Sequence, residues 1–373
     1  MTRSRGESQK LSARCSDDCA SAQQDGESTR HLLEIEDLRV TFEVGAASYK
    51  AVDGVSFAVD DGEAVGLVGE SGAGKSVTAR SILGLSEPRH LAGGAIRYRG
   101  TDLVPLGESA WQRLRGREIA LIPQNALAAL NPLFTVGWQI AELYRVHDGA
   151  SRSEARRRGV VLMEQVGIPA AEKRFDSYPH EFSGGMRQRV VIAMAVALNP
   201  ALVIADEPTT ALDVTTEAQV MDLLGELRRE RRMALIHITH DVELIASSVD
   251  RMIVMYAGRI VEAGPADDLY HHPAHPYTRA LLESRPSLGD RRKGLLPTIP
   301  GAPPKISDIP SGCAFHPRCA HVRERCETET PVLRAGTLGR ISACHYSEEV
   351  LRLGEVRTSE SLAASLARID EDA

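Results

Sequence analysis

The sequence predicts an α/β protein: a mostly parallel sheet core carrying an antiparallel β subdomain, a helical subdomain and a small loop-rich extension toward its C-terminal end. Three observations lead there. Gly69-Glu70-Ser71-Gly72-Ala73-Gly74-Lys75-Ser76 fits G-x-x-x-x-G-K-S between an apolar run and a helix-forming one. Apolar strand patterns recur at Ala201 to Ala205, Ala234 to Ile238 and Met252 to Met255, with helix-like segments between them, the βαβ rhythm of a parallel sheet. After Gly264 the composition turns to Pro, His and Gly, which marks a boundary.

Taken in order, residues 1–30 carry no apolar stretch and are expected to be a disordered tail rather than a signal peptide or anchor. From residue 32 to 60 apolar residues alternate (Leu33, Ile35, Val40, Phe42, then Val52, Val55, Phe57, Val59), which predicts a small antiparallel sheet ahead of the glycine-rich loop. Ala64 to Val68 is the buried strand before that loop, and Val77 to Leu85 the helix after it. Between about 106 and 199 the pattern is helical. Ser151-x-x-Glu154 matches a capping box, Leu162 and Val166 follow at i, i+4 spacing, and Val190 to Leu198 reads as a buried helix. The expected partition is a tail (1–30), a core domain (31–265) with its helical insertion (about 106–199), an extension (266–350) and an acidic tail (351–373).

Size and charge narrow the function classes. A chain of 373 residues accommodates one large domain and an appendage, and its 43% hydrophobic and 25% charged content is that of a soluble globular protein. No apolar run approaches the roughly 18 residues that span a bilayer. Net charge of −7 argues against nucleic acid as the main partner, the basic runs at Arg156 to Arg158 and Arg228 to Arg232 reading as solvated helix faces. A cytoplasmic location is expected.

The glycine-rich segment is a phosphate cradle in chemical terms: glycines let backbone N–H groups fold around an anion at the positive end of a helix. Lys75 then neutralises the β and γ phosphates of a nucleotide, Ser76 ligates Mg²⁺, and Gly69 to Val77 form the binding segment. Asp206 and Glu207 end an apolar strand about 130 residues later. Two carboxylates there suit two tasks, Asp206 holding Mg²⁺ through its water shell and Glu207 orienting and deprotonating water.

Phe182-Ser183-Gly184-Gly185-Met186 follows the helical region and resembles the signature of ATP-binding cassette (ABC) ATPases, usually L-S-G-G-Q. The resemblance implies a P-loop NTPase fold of the ABC type and a head-to-tail dimer with a second ABC subunit, a copy or a paralogue. Across it Ser183, Gly184 and Gly185 face the γ phosphate of ATP bound by the partner. It also implies roles for Gln124 in Ile122-Pro123-Gln124 (contact to Mg²⁺ and water, relay to membrane subunits), for Asp213 in Ala211-Leu212-Asp213, and for His240 in Ile238-Thr239-His240-Asp241 on the γ phosphate. Phe42, 27 positions before Gly69, stands where the family stacks an aromatic ring on adenine, with Tyr49 as the fallback and core packing as the other reading of Phe42.

Phe182 and Met186 depart from the generic signature, and FSGGMRQR is similar to the ATPases of oligopeptide and dipeptide importers. So are Leu130-Asn131-Pro132 and the His275-Pro276-Tyr277-Thr278 motif that opens the extension. The resemblance spans about residues 32–347. It implies an ATP-hydrolysing importer subunit at the cytoplasmic face of the inner membrane, working with two transmembrane permease subunits and an extracytoplasmic substrate-binding protein. Other cargo of related importers (nickel chelates, glutathione, sugars) stays open, as does a different class, a non-transport ABC ATPase or a redox-sensing regulator. Against a chromosome-structure ATPase, Pro88, Pro105, Pro123, Pro132, Pro169 and Pro179 between Lys75 and Ser183 forbid a long coiled coil.

Cys313, Cys319, Cys326 and Cys344 give C-x5-C-x6-C-x17-C, too widely spaced for a zinc knuckle and unlike the ferredoxin patterns. The residues alone leave iron–sulfur, zinc and free thiols open; the importer resemblance implies a [4Fe-4S] cluster, with zinc the alternative. His316, His321 and His345 read as exposed loop residues, His271, His272 and His275 as a turn, and Cys15 and Cys19 as free thiols.

Overall fold

The computed structural model describes residues 31–45, 47–85, 91–210, 212–284, 298–336, 339–354 and 356. The tail over 1–30, with Cys15 and Cys19, and residues 357–373 lie outside them.

The strands are, in chain order, β1 (Leu33–Val44), β2 (Ala47–Val59), β3 (Ala64–Val68), β4 (Leu91–Tyr98), β5 (Thr101–Asp102) and β6 (Ile119–Ile122). They continue with β7 (Leu202–Asp206), β8 (Ala234–Thr239), β9 (Arg251–Tyr256), β10 (Arg259–Pro265), β11 (Arg334–Ala335) and β12 (Ile341–Ser342). The larger sheet runs β11-β12-β10-β9-β3-β8-β7-β6, parallel from β9 through β6 and antiparallel beyond β9. Every residue of β3, β7 and β8 is buried, because a parallel sheet is covered on both faces and its strands read as continuous apolar runs. Their pleat divides the core in two. Val65, Leu67, Leu202 and Ile204 enter the cluster shared with the antiparallel sheet, while Ala64, Val68, Val203 and Ala205 enter the cluster shared with the helices.

Two expectations need correction here. The antiparallel sheet, order β2-β1-β4-β5, is only begun ahead of the glycine-rich loop; β4 and β5 return from beyond it to pair with β1. The stretch expected to be helical from about 106 also contains β6, which pairs parallel with β7 at the edge of the main sheet. Four apolar residues, IALI, are too few for periodicity to separate strand from helix.

The helices begin with α1 (Lys75–Ile82), two residues earlier than expected, then α2 (Glu108–Leu114), α3 (Ala126–Ala129), α4 (Val136–Asp148), α5 (Arg152–Gln165), α6 (Ala171–Arg174) and α7 (Gly184–Val196). Ser151 caps α5 by accepting from the Glu154 N–H at 3.2 Å, and Leu162 and Val166 are both buried. α7 buries Val190, Val191, Ile192 and Ala193 in one run, as a helix enclosed by the core must. α8 (Val214–Arg231), α9 (Val242–Ala246), α10 (Ala266–His271) and α11 (Pro276–Glu283) complete the domain.

The extension does not stand apart. β12 pairs onto β10, and Phe315 is buried with its ring centroid 5.3 Å from Tyr256 and 5.2 Å from Tyr277. His275 behaves as the turn reading expects: buried, it caps α11 by accepting the Tyr277 N–H on Nδ1 at 3.0 Å.

Candidate functional site

Close approach dictates two of the three glycines of residues 69–76. A Cβ at Gly69 would lie 2.3 Å from the Met255 carbonyl oxygen, and one at Gly74 would lie 2.7 Å from that of Ala51. Gly74 also takes φ +101 as the residue before α1, a left-handed conformation that glycine adopts without a Cβ penalty. Lys75, only 4% exposed, folds back over the loop and donates to the carbonyls of Gly69 (2.6 Å) and Glu70 (3.0 Å). Burial draws its pKa below the ordinary lysine value, opposed by Glu207, Asp206 and Glu70.

Strand β7 delivers the carboxylates. The Ser76 hydroxyl donates to Asp206 Oδ1 at 2.8 Å, so a hydroxyl and a carboxylate oxygen, hard donors suited to Mg²⁺, stand side by side. Burial raises the Asp206 pKa, with the Ser76 hydrogen bond acting the other way. Glu207 has left the strand with φ +48, a conformation costing a side-chain-bearing residue on the order of 1–3 kcal/mol and concentrated at functional sites. Its carboxylate accepts from Gln124 Nε2 at 2.7 Å and from the Thr210 hydroxyl at 3.0 Å, and His240 Nδ1 lies 3.6 Å away. Lys75 and Ser76 after β3, Gln124 after β6, Asp206 and Glu207 at the end of β7 and His240 after β8 thus converge from four strand ends of one sheet. Thr210 belongs with them and carried no sequence signal beyond its place after Glu207.

Ser183, Gly184 and Asp213 gather elsewhere. Ser183 caps α7 by accepting from Met186 N–H at 3.3 Å, and Asp213 caps α8 by accepting from Thr216, both exposed. Gly185 meets that second helix so closely that a Cβ would sit 2.5 Å from Thr216 Cγ2. Among the described residues no hydrogen bond joins Ser183 or Asp213 to residues 69–76. Phe42 and Tyr49 face each other across β1 and β2, both half-buried, with Phe42 packed against the core.

Cys313, Cys319, Cys326 and Cys344 line a single cavity of about 20 Å³ together with His316, His321 and His345. His316 and His345 are half-buried there, a correction to the loop reading that a sequence cannot supply. Burial pushes the Cys319 thiol up to about 11 and that of Cys344 up to about 12. Among the described residues no group of three or more His, Cys, Asp or Glu is placed to hold a metal ion, so the expected four-cysteine centre is not formed by this side-chain arrangement.

Comparison with known proteins bears on this assembly. The ABC transporter family model matches residues 52–210, and the model of the oligopeptide/dipeptide transporter C-terminal region matches residues 261–326. The dipeptide transport ATP-binding protein DppD of Escherichia coli (strain K12) is 47% identical over 316 residues, 84% of this chain and 96% of its own length. The chain belongs to the ABC transporter ATP-binding family. A putative peptide import ATP-binding protein of Brucella melitensis is 46% identical over 335 residues, 87% of this chain and 99% of that one. Among solved structures, a dimeric ATP-binding cassette in a post-hydrolysis state bound to ADP and Pi is similar with a TM-score of 0.57 and 27% identity, covering 63% of this chain and 98% of that one. As an ABC ATPase the chain binds and hydrolyses ATP. No helix among the described residues is long and apolar enough to cross a membrane.

Proposed function

We propose that this ABC ATPase drives peptide import as the nucleotide-hydrolysing subunit of a dipeptide or oligopeptide transporter at the cytoplasmic face of the membrane. The observation that carries the reading is the joining, in one chain, of the converged ATP half-site to a C-terminal segment of the oligopeptide/dipeptide transporter type.

Lys75 holds the β and γ phosphates, and Ser76, Asp206 and Gln124 hold Mg²⁺, which supplies charge neutralisation of the phosphates when bound. Glu207 accepts the proton of the attacking water, positioned by Gln124 and Thr210, and His240 contacts the γ phosphate. Phe42, with Tyr49 opposite, stacks on adenine. Ser183, Gly184, Gly185 and Asp213 complete the site of a second ABC subunit, which accounts for the exposure of Ser183, Gly184 and Asp213 and for the 82% exposure of the neighbouring Val214. Permease subunits dock on the apolar surface beyond Gln124: Leu127, Leu133, Phe134 and Trp138 are exposed, Phe134 and Trp138 stacked at 4.2 Å. A substrate-binding protein delivers the peptide from outside.

For the four cysteines, soft donors lining one cavity suit iron–sulfur and zinc alike, and the resemblance to the peptide-importer ATPases is what puts a [4Fe-4S] cluster first and zinc second. Either group needs the buried thiols deprotonated and repositioned. Anaerobically purified protein containing iron and sulfide, lost in Cys319→Ser, supports the cluster; stoichiometric zinc or metal-free protein removes it.

The transport reading is tested by deleting the gene and measuring uptake of a labelled dipeptide. Loss of uptake, restored by the wild-type chain and not by Glu207→Gln, is the expected result. Normal peptide uptake with loss of nickel chelate, glutathione or sugar uptake transfers the cargo, and no transport defect overturns the reading.

A further inference from the structure

Glu70 is an odd residue to find in a phosphate cradle, since its carboxylate carries the same sign as the ligand. The extension deals with it. Arg318 reaches in from the turn His316–Arg318, its side chain 5% exposed, and grips Glu70 with two bonds, Nη1 to Oε2 at 2.6 Å and Nη2 to Oε1 at 3.0 Å. Arg318 Nε donates to the Pro300 carbonyl at 2.9 Å and Nη1 to the Tyr256 hydroxyl at 3.2 Å, and the guanidinium lies 5.9 Å from the ring centroids of both Tyr256 and Phe315. Tyr277, fully buried on α11, accepts the Glu70 backbone N–H on its hydroxyl at 2.8 Å. The Glu70 carbonyl meanwhile accepts from Lys75 and from the Ala73 N–H. Carboxylate, N–H and carbonyl of one loop residue are therefore each fixed, two of the three by residues more than 200 positions away in sequence.

We infer that Arg318 is a positioning residue for nucleotide binding: by pairing with Glu70 it neutralises that carboxylate and keeps it from competing with the ATP phosphates for Lys75. The inference rests on residues 69–76 being the ATP cradle. A planar guanidinium suits this task, because two parallel bonds fix the carboxylate's direction where a lysine would supply only a point charge. Without Arg318 the carboxylate stands unpaired, its charge already acting on the Lys75 ammonium, and it opposes the polyanion that the cradle takes.

The sign of the effect separates this role from mere fastening of the extension. In steady-state hydrolysis by the full-length chain, Arg318→Met should raise the KM for ATP about tenfold, in line with one charge-assisted pair, while kcat stays within about threefold. Arg318→Lys should lie between the two. Glu70→Gln alone should lower KM, because it leaves the Arg318 guanidinium uncompensated beside the phosphates, and Arg318→Met combined with Glu70→Gln should return KM to within about threefold of wild type, because the offending carboxylate is gone. If the pair served only to fasten the extension, Glu70→Gln would harm as much as Arg318→Met and the double variant would show no rescue; either result overturns the inference. Should Arg318→Met fail to fold, Arg318→Lys and Glu70→Gln still give opposite signs of KM change, and equal signs refute it. A wild-type chain that turns over no ATP would instead strike the reading of residues 69–76 itself.

Discussion

The two halves of the nucleotide machinery are finished to different degrees within one chain. Around Lys75 and Glu207 polar side chains already have partners: Ser76 with Asp206, Gln124 and Thr210 with Glu207, Lys75 with two carbonyls. Around Ser183 and Asp213 the side chains cap their own helices and otherwise face solvent. The first half is organised by partners within the chain, so ATP would meet little reorganisation cost there, whereas the second consists of exposed helix caps, which the proposed reading assigns to another subunit's site.

The sharpest way to break that comparison is at Glu207. Glu207→Gln keeps the shape that Gln124 and Thr210 contact and removes the proton acceptor, so hydrolysis should fall by about 10² to 10⁴ while ATP affinity holds. Single-turnover assays beside equilibrium binding read both, and wild-type turnover would remove Glu207 from its role.

Next come the paired variants Lys75→Ala and Ser183→Arg. Lys75→Ala should weaken ATP binding to the monomer by about 10- to 100-fold, the worth of hydrogen bonds to a charged group. Ser183→Arg should leave monomer affinity unchanged and abolish ATP-driven dimerisation in analytical ultracentrifugation. Equal loss of monomer affinity in both would show that the two halves are not divided between subunits.

The smallest effect concerns the core beneath the first half. His237 on β8 lies opposite Gly66 of β3, fully buried, with neither ring nitrogen hydrogen-bonded among the described residues, and burial pushes its pKa down to about 4. Burial likewise takes His275 down to about 3 and Glu262 up to about 7. Each histidine binds a proton only when unfolded as the pH drops below 6.5, which lowers stability; Glu262 binds its proton in the fold first, below about 7, which offsets one of them down to 4.5. The net is one proton, so stability should fall by about 1.4 kcal/mol per pH unit from 6.5 to 4.5. His237→Leu should flatten that fall in urea melts at pH 5 and 6.5, and a wild-type profile without slope would sink the argument.

What could be read without a structure was whatever the chemistry writes contiguously. Gly69 to Ser76 and Asp206-Glu207 are dictated by backbone shape and strand end, so neighbours in sequence are neighbours in the site. β6 was lost inside a helical stretch because four apolar residues have no period, and the return of β4 to β1 because pairing partners leave no mark on a single strand. Arg318 and Tyr277 were beyond reach for the same reason in stronger form. An arginine in a loop becomes a partner of Glu70 only through the packing of Phe315, Tyr256 and Tyr277 that carries it there.

That packing has a thermodynamic corollary. Arg318 stands directly before Cys319 and on the same turn that follows Cys313, so the guanidinium that faces Glu70 and two of the thiols that line the cavity are carried by one short piece of backbone. Coupling free energies are symmetric between binding equilibria. Whatever factor a change at the thiols imposes on the affinity for ATP, ATP returns in equal measure to the thiols, and the binding constant of a ligand for those cysteines becomes a gauge of nucleotide occupancy.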